Sequence, residues 1–274
     1  MPKSNEKRSI GNIIAWSIIA LLGVVLLLIT VFPLQYSADG IRNKWLETAT
    51  RQLICALIVV GLLFFMKIRL FGRVRQIAFA IPCLLVAINN FPFISYFNDN
   101  MQFVRKETED ILCFTLYCIS VGLFEEFVFR GVVFSALASL FSKDRTGLTK
   151  TFVMTSVLFG LVHLSNLFGG AGLIPTLLQV VYTTLMGGVF AFVLIKTQNL
   201  FCCAFVHALY NFGGLLLDPP ARMGLGTGVV FDTGTIILTV ILGICVATFI
   251  LYHLHKYPEA ERSILYKRLG LNEK

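Results

Sequence analysis

Long apolar runs alternate with short polar segments along almost the whole chain. They fall at 12–34, 53–66, 77–96, 111–140, 148–163, 174–195, 200–217 and 235–254. An α-helix needs about 20 apolar residues to cross a bilayer. The pattern therefore predicts an all-α, polytopic transmembrane helical bundle of about eight spans. The run at 53–66 is short unless it extends at one end. The third run contains Pro82, Asn89, Asn90 and Pro92, which predict a kink or a break. The first follows Lys3, Lys7 and Arg8 and is too long for a cleaved signal peptide, so it reads as a retained signal-anchor. Segment 218–234 is rich in Gly and Pro and reads as an outer loop, while 257–274 reads as a short interfacial or cytoplasmic helix. Gly187-Gly188 and Gly213-Gly214 allow helices to approach closely.

Composition agrees with this pattern. The 274 residues are 57% hydrophobic and only 14% charged, with a mean hydropathy of +0.80; soluble domains carry about 25% charged residues. Of the 23 Lys and Arg, 16 lie in segments that alternate to one side of the spans and six in those on the other, with Arg130 inside a span. By the positive-inside rule both termini face the cytoplasm, N-in and C-in. The net charge of +8 is spread over many short loops. That suits a lipid bilayer and argues against nucleic acid. The seven cysteines lie in apolar runs without metal-type spacing and read as small buried residues.

Few polar residues interrupt the runs, and those few carry the chemistry. Phe124-Glu125-Glu126-Phe127-Val128-Phe129-Arg130-Gly131 places three charges inside the fourth run. Each costs roughly 2.5–3.5 kcal/mol on insertion scales unless it faces protein or water. Glu126 and Arg130 are four apart and can pair on one helix face. Glu125 is turned by about 100° and looks elsewhere. His163 and His207 also fall within apolar runs, and Asn211 shares a helix face with His207; His253 and His255 merely end the last span. One isolated histidine reads as a packing residue. Polar groups from three spans read instead as a converged site, because burying each separately costs more. In such a site Glu125 and His163 could hold and deprotonate a water, and His207 and Asn211 offer donors to an oxyanion. Glu125, His163 and His207 could equally ligate Zn2+ with a water in the fourth position. No Ser–His pair or His-Glu-x-x-His motif is present.

The ordered set Glu125-Glu126-x-x-x-Arg130, Phe159-x-x-x-His163 and His207-x-x-x-Asn211, together with Arg130-Gly131 and His163-Leu-Ser-Asn, resembles the CAAX protease and bacteriocin-processing (CPBP, or Abi) family of intramembrane endopeptidases. The resemblance divides the chain into 1–110 (three spans), a catalytic core at 111–217 (four spans), and 218–274 (outer loop, last span and tail). It implies that Glu125 and His163 activate water, that His207 and Asn211 stabilise the oxyanion, and that Glu126 and Arg130 support them. Family members are described both as metalloproteases and as glutamate-dependent enzymes without catalytic metal. The substrate it implies is a membrane-associated peptide or protein, in prenylated-protein trimming or in bacteriocin maturation, peptide signalling or self-immunity. A multi-pass protein of a bacterial plasma membrane is expected. Counting helix residues from the basic side places His207 about 10 Å deep, so cleavage is expected near the inner face. The competing readings are a non-catalytic immunity or signalling scaffold, and a transporter with a Glu/His proton relay. Polar groups gathered in one place without an inverted repeat disfavour the transporter.

Overall fold

The computed structural model describes residues 41–91, 108–215 and 233–271, and the described residues are helical without strands. In chain order the helices are α1 (Ile41–Phe65), α2 (Ile81–Asn89), α3 (Thr108–Glu126), α4 (Phe134–Leu140), α5 (Arg145–Leu161), α6 (Leu173–Thr197), α7 (Leu200–Leu215), α8 (Thr233–His255) and α9 (Glu259–Arg268). A π-helical stretch, Phe127–Val133, joins α3 to α4 without a break. Short 3-10 turns precede α2 (Ile77–Ala80) and follow α5 (Val162–Leu167).

Five segments are long and apolar enough to cross a membrane: Arg42–Phe65, Glu109–Leu140, Arg145–Leu167, Leu173–Thr197 and Ile237–His255. Two expected spans are shorter helices, Ile77–Asn89 and Leu200–Leu215. The expected first span lies outside the described residues. Helix α1 starts twelve residues before the apolar run at 53–66. Its buried stripe of Trp45, Ala49, Gln52, Ala56, Val59 and Leu63 continues through the charged stretch, at the three- and four-residue spacing of one helix face. Arg42 meets Asp110 of α3 at 2.8 Å, and Arg51 lies 3.8 Å from Glu47. In the third expected span Pro82 starts α2, where a missing N–H costs nothing. The helix stops at Asn89, ahead of Pro92, and the Asn90 amide donates to the Tyr210 carbonyl at 2.7 Å.

Helix α3 sits between α1 and α7, and α5 packs along α6. Small residues set these approaches. A Cβ on Gly187 would lie 2.9 Å from the Ser156 carbonyl oxygen, and one on Gly160 would collide with Thr184. A Cβ on Gly122 would lie 2.6 Å from the Ala204 carbonyl oxygen.

Among the described residues, the basic segments expected on one side of the membrane, 67–75, 143–150, 196 and 256–268, gather at one end of the bundle. Segment 66–76 crosses that end as an irregular strap, with Leu200 N–H donating to Leu70 O and Arg75 N–H to Thr197 O. Helix α9 closes it from below: Arg75 donates to Glu261 at 2.7 Å, Tyr257 Oη to Ile195 O at 2.8 Å, and Arg262 Nε to Lys143 O at 3.0 Å. Leu265, Tyr266 and Leu269 are buried there. The tail expected as a short interfacial or cytoplasmic helix is a helix at this end and packs into the main core.

Asp144 caps α5, accepting from Gly147 N–H at 2.7 Å and from the Ser142 hydroxyl at 2.8 Å. The Gly147 bond first, and then Ser142, hold this carboxyl below its ordinary value. A lowered folded pKa stabilises above the unfolded carboxylate range, and that stabilisation is lost as pH falls through the folded value. Asp144→Ala should therefore lower the thermal midpoint in detergent at about pH 7 and lower it less at about pH 3. Equal losses at both pH values would show that the ionised cap contributes nothing.

Candidate active site

The site is built where α3 enters the π stretch, a helix form found frequently at functional sites. Glu125 and Glu126 are the last residues of α3, and Gly122 one turn earlier lets α7 lie against them. Any side chain at Gly122 would push His207 away from the glutamates.

Glu126 and Arg130 are both 0% exposed, with Arg130 Nε 3.1 Å from Glu126 Oε2. The pair expected from the four-residue spacing is present. That contact is an ion pair, without the alignment of a hydrogen bond. The guanidinium is completed elsewhere: Nη2 donates to the Gly187 carbonyl of α6 at 2.9 Å. Its central carbon lies 4.5 Å from the Phe159 ring centroid, 5.3 Å from Phe190 and 5.9 Å from Phe129. A desolvated cation over aromatic faces gains about 2 kcal/mol or more. Glu126 has a second partner that its spacing does not reveal. His207 Nδ1 approaches Glu126 Oε1 at 2.8 Å. An ionised carboxylate only accepts, so Nδ1 carries the proton and the other ring nitrogen, Nε2, is left to face the site. Nε2 points toward Glu125 Oε2 at 3.9 Å, longer than a hydrogen bond. Glu125, 19% exposed, is the accessible member of the two carboxylates.

His163 stands on the 3-10 turn after α5 and is half-buried. Its Nδ1 is 2.9 Å from the Phe159 carbonyl oxygen, which accepts the ring proton and leaves Nε2 unengaged. It lies within electrostatic reach of both Glu125 and His207. The Phe159 ring links the two histidines, 5.4 Å from His163 and 5.8 Å from His207. Asn211 is half-buried one turn beyond His207 on α7. Next along the 3-10 turn, the Asn166 amide donates to Gln179 Oε1 on α6 at 2.7 Å. His253, by contrast, packs against Phe79 and Phe249 at the last span.

Phe190 and the Gly187 carbonyl have no counterpart in the sequence reading. Phe190 is 1% exposed and stacks on His207 with centroids 4.6 Å apart and planes at 14°. It lies in an unbroken apolar run, so nothing in its neighbourhood marks it. Phe190 and His207 each lie seven residues from the basic end of their helices, about 10 Å, and their stacking puts them at one depth. Phe159 reaches the same ring from fourteen residues inside α5, about 21 Å. Helix α5 is therefore offset along the bundle, which brings His163 nearer the other groups than counting from its start suggests.

Among the described residues no three His, Cys, Asp or Glu side chains form a group arranged to hold a metal ion. Glu125 and the two Nε2 atoms have suitable donor chemistry, but this arrangement does not present them as a three-ligand set, and the chemistry below uses the protein groups alone.

Residues 107–213 match the family described as type II CAAX prenyl endopeptidase Rce1-like. The chain is 30% identical over 111 residues to CAAX prenyl protease 2 of Saccharomyces cerevisiae. That match covers 37% of this chain and 35% of the yeast protein, so it spans about a third of the relative's length. No solved structure shows significant similarity. The matched segment contains Glu125, Glu126, Arg130, His163, His207 and Asn211, so over this stretch the chain is similar to the CAAX endopeptidase family that its motifs resemble.

Proposed function

We propose that this membrane protein is an intramembrane endopeptidase that hydrolyses a peptide bond in a membrane-associated peptide or protein. The observation that carries the reading is the accessible Glu125 carboxylate facing the free Nε2 of an imidazole that Glu126 holds from behind. Glu125 and His163 hold a water between them, and Glu125 takes its proton as the oxygen attacks the scissile carbonyl carbon. The carbonyl oxygen becomes an oxyanion. When the His207 ring carries its second proton, Nε2 donates to that oxyanion, and the Asn211 amide adds a second donor. Collapse of the tetrahedral intermediate breaks the C–N bond, and Glu125 returns the proton to the leaving nitrogen. Glu126 and Arg130 fix His207 and take no part in proton transfer.

The yeast relative is named for a prenyl CAAX substrate, and a lipid-bearing peptide is one member of the substrate class proposed here. Maturation of a bacteriocin or peptide signal, or self-immunity, fits the same chemistry in a plasma membrane. The distribution of basic residues supports both termini inside and a site nearer the cytoplasmic face.

Two substitutions separate the roles. Glu125→Ala should leave the unfolding free energy within about 1 kcal/mol of the parent, because the side chain is accessible and loosely partnered. It should lower cleavage roughly 100- to 10,000-fold, the range for loss of a general base. A membrane peptide that still disappears at the parental rate in cells carrying Glu125→Ala would rule out the proposed base. Arg130→Ala should cost about 3–5 kcal/mol, because it strands a buried carboxylate. Parental stability of Arg130→Ala in detergent would end the assignment of this pair to support.

A further inference from the structure

A second concentration of charge lies at the basic end, away from the candidate active site. The strap leaving α1 begins at Lys67, whose φ of 60° is a left-handed conformation uncommon for lysine. From there inward and outward residues alternate: Ile68 and Leu70 are 1% and 0% exposed, while Lys67 and Arg69 point outward. Arg73 is exposed further along. The strap is fixed by Arg69 N–H to Arg268 O at 2.7 Å, Asn199 Nδ2 to Gly72 O at 2.7 Å, and Arg268 Nη1 to Arg73 O at 2.9 Å. Its display of cations is therefore built, and it draws in a further one, Arg268. Burial first, and then the charges of Arg75 and Arg73, hold the Arg268 guanidinium below its ordinary value. The nearby Glu261 carboxylate is already engaged by two nitrogens of Arg75. Lys67, Arg69 and Arg73 have no acidic partner among the described residues.

The membrane-facing side of the same corner is aromatic. Phe71 on the strap packs on Phe64 of α1 at 5.7 Å and on Phe201 of α7 at 5.6 Å, with Phe127 beneath at 5.3 Å. Phe64, Phe201 and Phe205 remain 63%, 52% and 61% exposed. The stretch that turns Lys67, Arg69 and Arg73 outward thus also carries Phe71 onto Phe64 and Phe201, which makes an amphipathic corner. Its charged lip suits a phosphate, and its wall suits a hydrocarbon chain. A soluble anion would use the lip and leave the wall bare; a zwitterionic lipid would use the wall and leave the cations uncompensated.

We propose that this corner is a specific site for one anionic glycerophospholipid, with its phosphate against Lys67, Arg69 and Arg73 and an acyl chain along Phe64, Phe201 and Phe205. The site is independent of the peptidase reading, since it uses none of the candidate catalytic residues. Native mass spectrometry of the full-length protein tests it, with phosphatidylglycerol, phosphatidylcholine of the same chains, and glycerol phosphate as probes. The parent protein should retain one phosphatidylglycerol in preference to phosphatidylcholine. The triple variant Lys67→Gln, Arg69→Gln, Arg73→Gln should bind it roughly 100-fold more weakly, at about 1 kcal/mol for each cation. Removing three other cations of the same end, with Arg145→Gln, Lys150→Gln, Lys256→Gln, should leave that binding within about threefold. Phe201→Ala with Phe205→Ala should weaken the lipid and leave any glycerol phosphate binding unchanged. The proposal is overturned if the parent shows no preference for the anionic lipid, or if both triple variants lose it equally, which would mark a diffuse field. It is also overturned if glycerol phosphate binds as tightly as the lipid.

Discussion

A carboxylate with no exposed surface inside a membrane-spanning helix demands partners from other helices, and Glu126 obtains them from two directions. Arg130, four residues along its own segment, supplies the countercharge. His207 supplies a donor from α7. Arg130 in turn reaches the Gly187 carbonyl of α6 and the faces of Phe159 and Phe190. One buried charge pair thereby ties α3, α5, α6 and α7 together at a single level of the bundle. Its desolvation penalty is several kcal/mol per ion unless every remaining donor and acceptor is answered. The aromatic rings answer part of that demand for Arg130, whose Nε and Nη1 make no hydrogen bond.

The same arrangement shapes the reactive groups. With Nδ1 of His207 bound to Glu126, the ring cannot turn freely, and Phe190 stacked on its face confines it further. His163 is held in the same sense by the Phe159 carbonyl. Both imidazoles therefore present Nε2, and Glu125 is left as the loosely held, partly exposed acid. Close helix approach is a condition for this. Gly122 sets the spacing of α3 to α7, and Gly160 and Gly187 set that of α5 to α6. A methyl group at any of these would separate the elements that carry the site.

Much of this was legible in the chain because membranes make polar residues conspicuous. The Glu126–Arg130 spacing pointed to their pairing, and Glu125 stood out as the acid without a local partner. The ordered motifs resembled the family whose model matches the same segment. The helix boundaries were less visible wherever charge met helix. Helix α1 runs through Arg42 and Arg51 because its buried stripe continues and Asp110 waits on α3, which a search for apolar runs passes over. The third run ends early at Asn89 because Asn90 is drawn to the Tyr210 carbonyl, a contact far away in sequence. Phe190 was invisible: one phenylalanine in an apolar helix carries no mark of the imidazole it faces. The bond from His207 to Glu126 was equally hidden, since local spacing offers Glu126 only Arg130. The π stretch and the anchoring of the tail under the basic end likewise depend on tertiary packing that no local pattern records.

The central claim is that Glu126 and Arg130 form one energetic unit that holds the site together. A double-mutant cycle with Glu126→Gln, Arg130→Met and the two combined, followed by equilibrium unfolding in detergent, measures it. Glutamine keeps an acceptor for His207, and methionine keeps much of the arginine volume. The account predicts that the double variant is more stable than the sum of the single losses requires, by at least about 1 kcal/mol, because each single change strands the other charge. Losses that add to within about 0.5 kcal/mol would mean the two residues act independently, and would contradict the account.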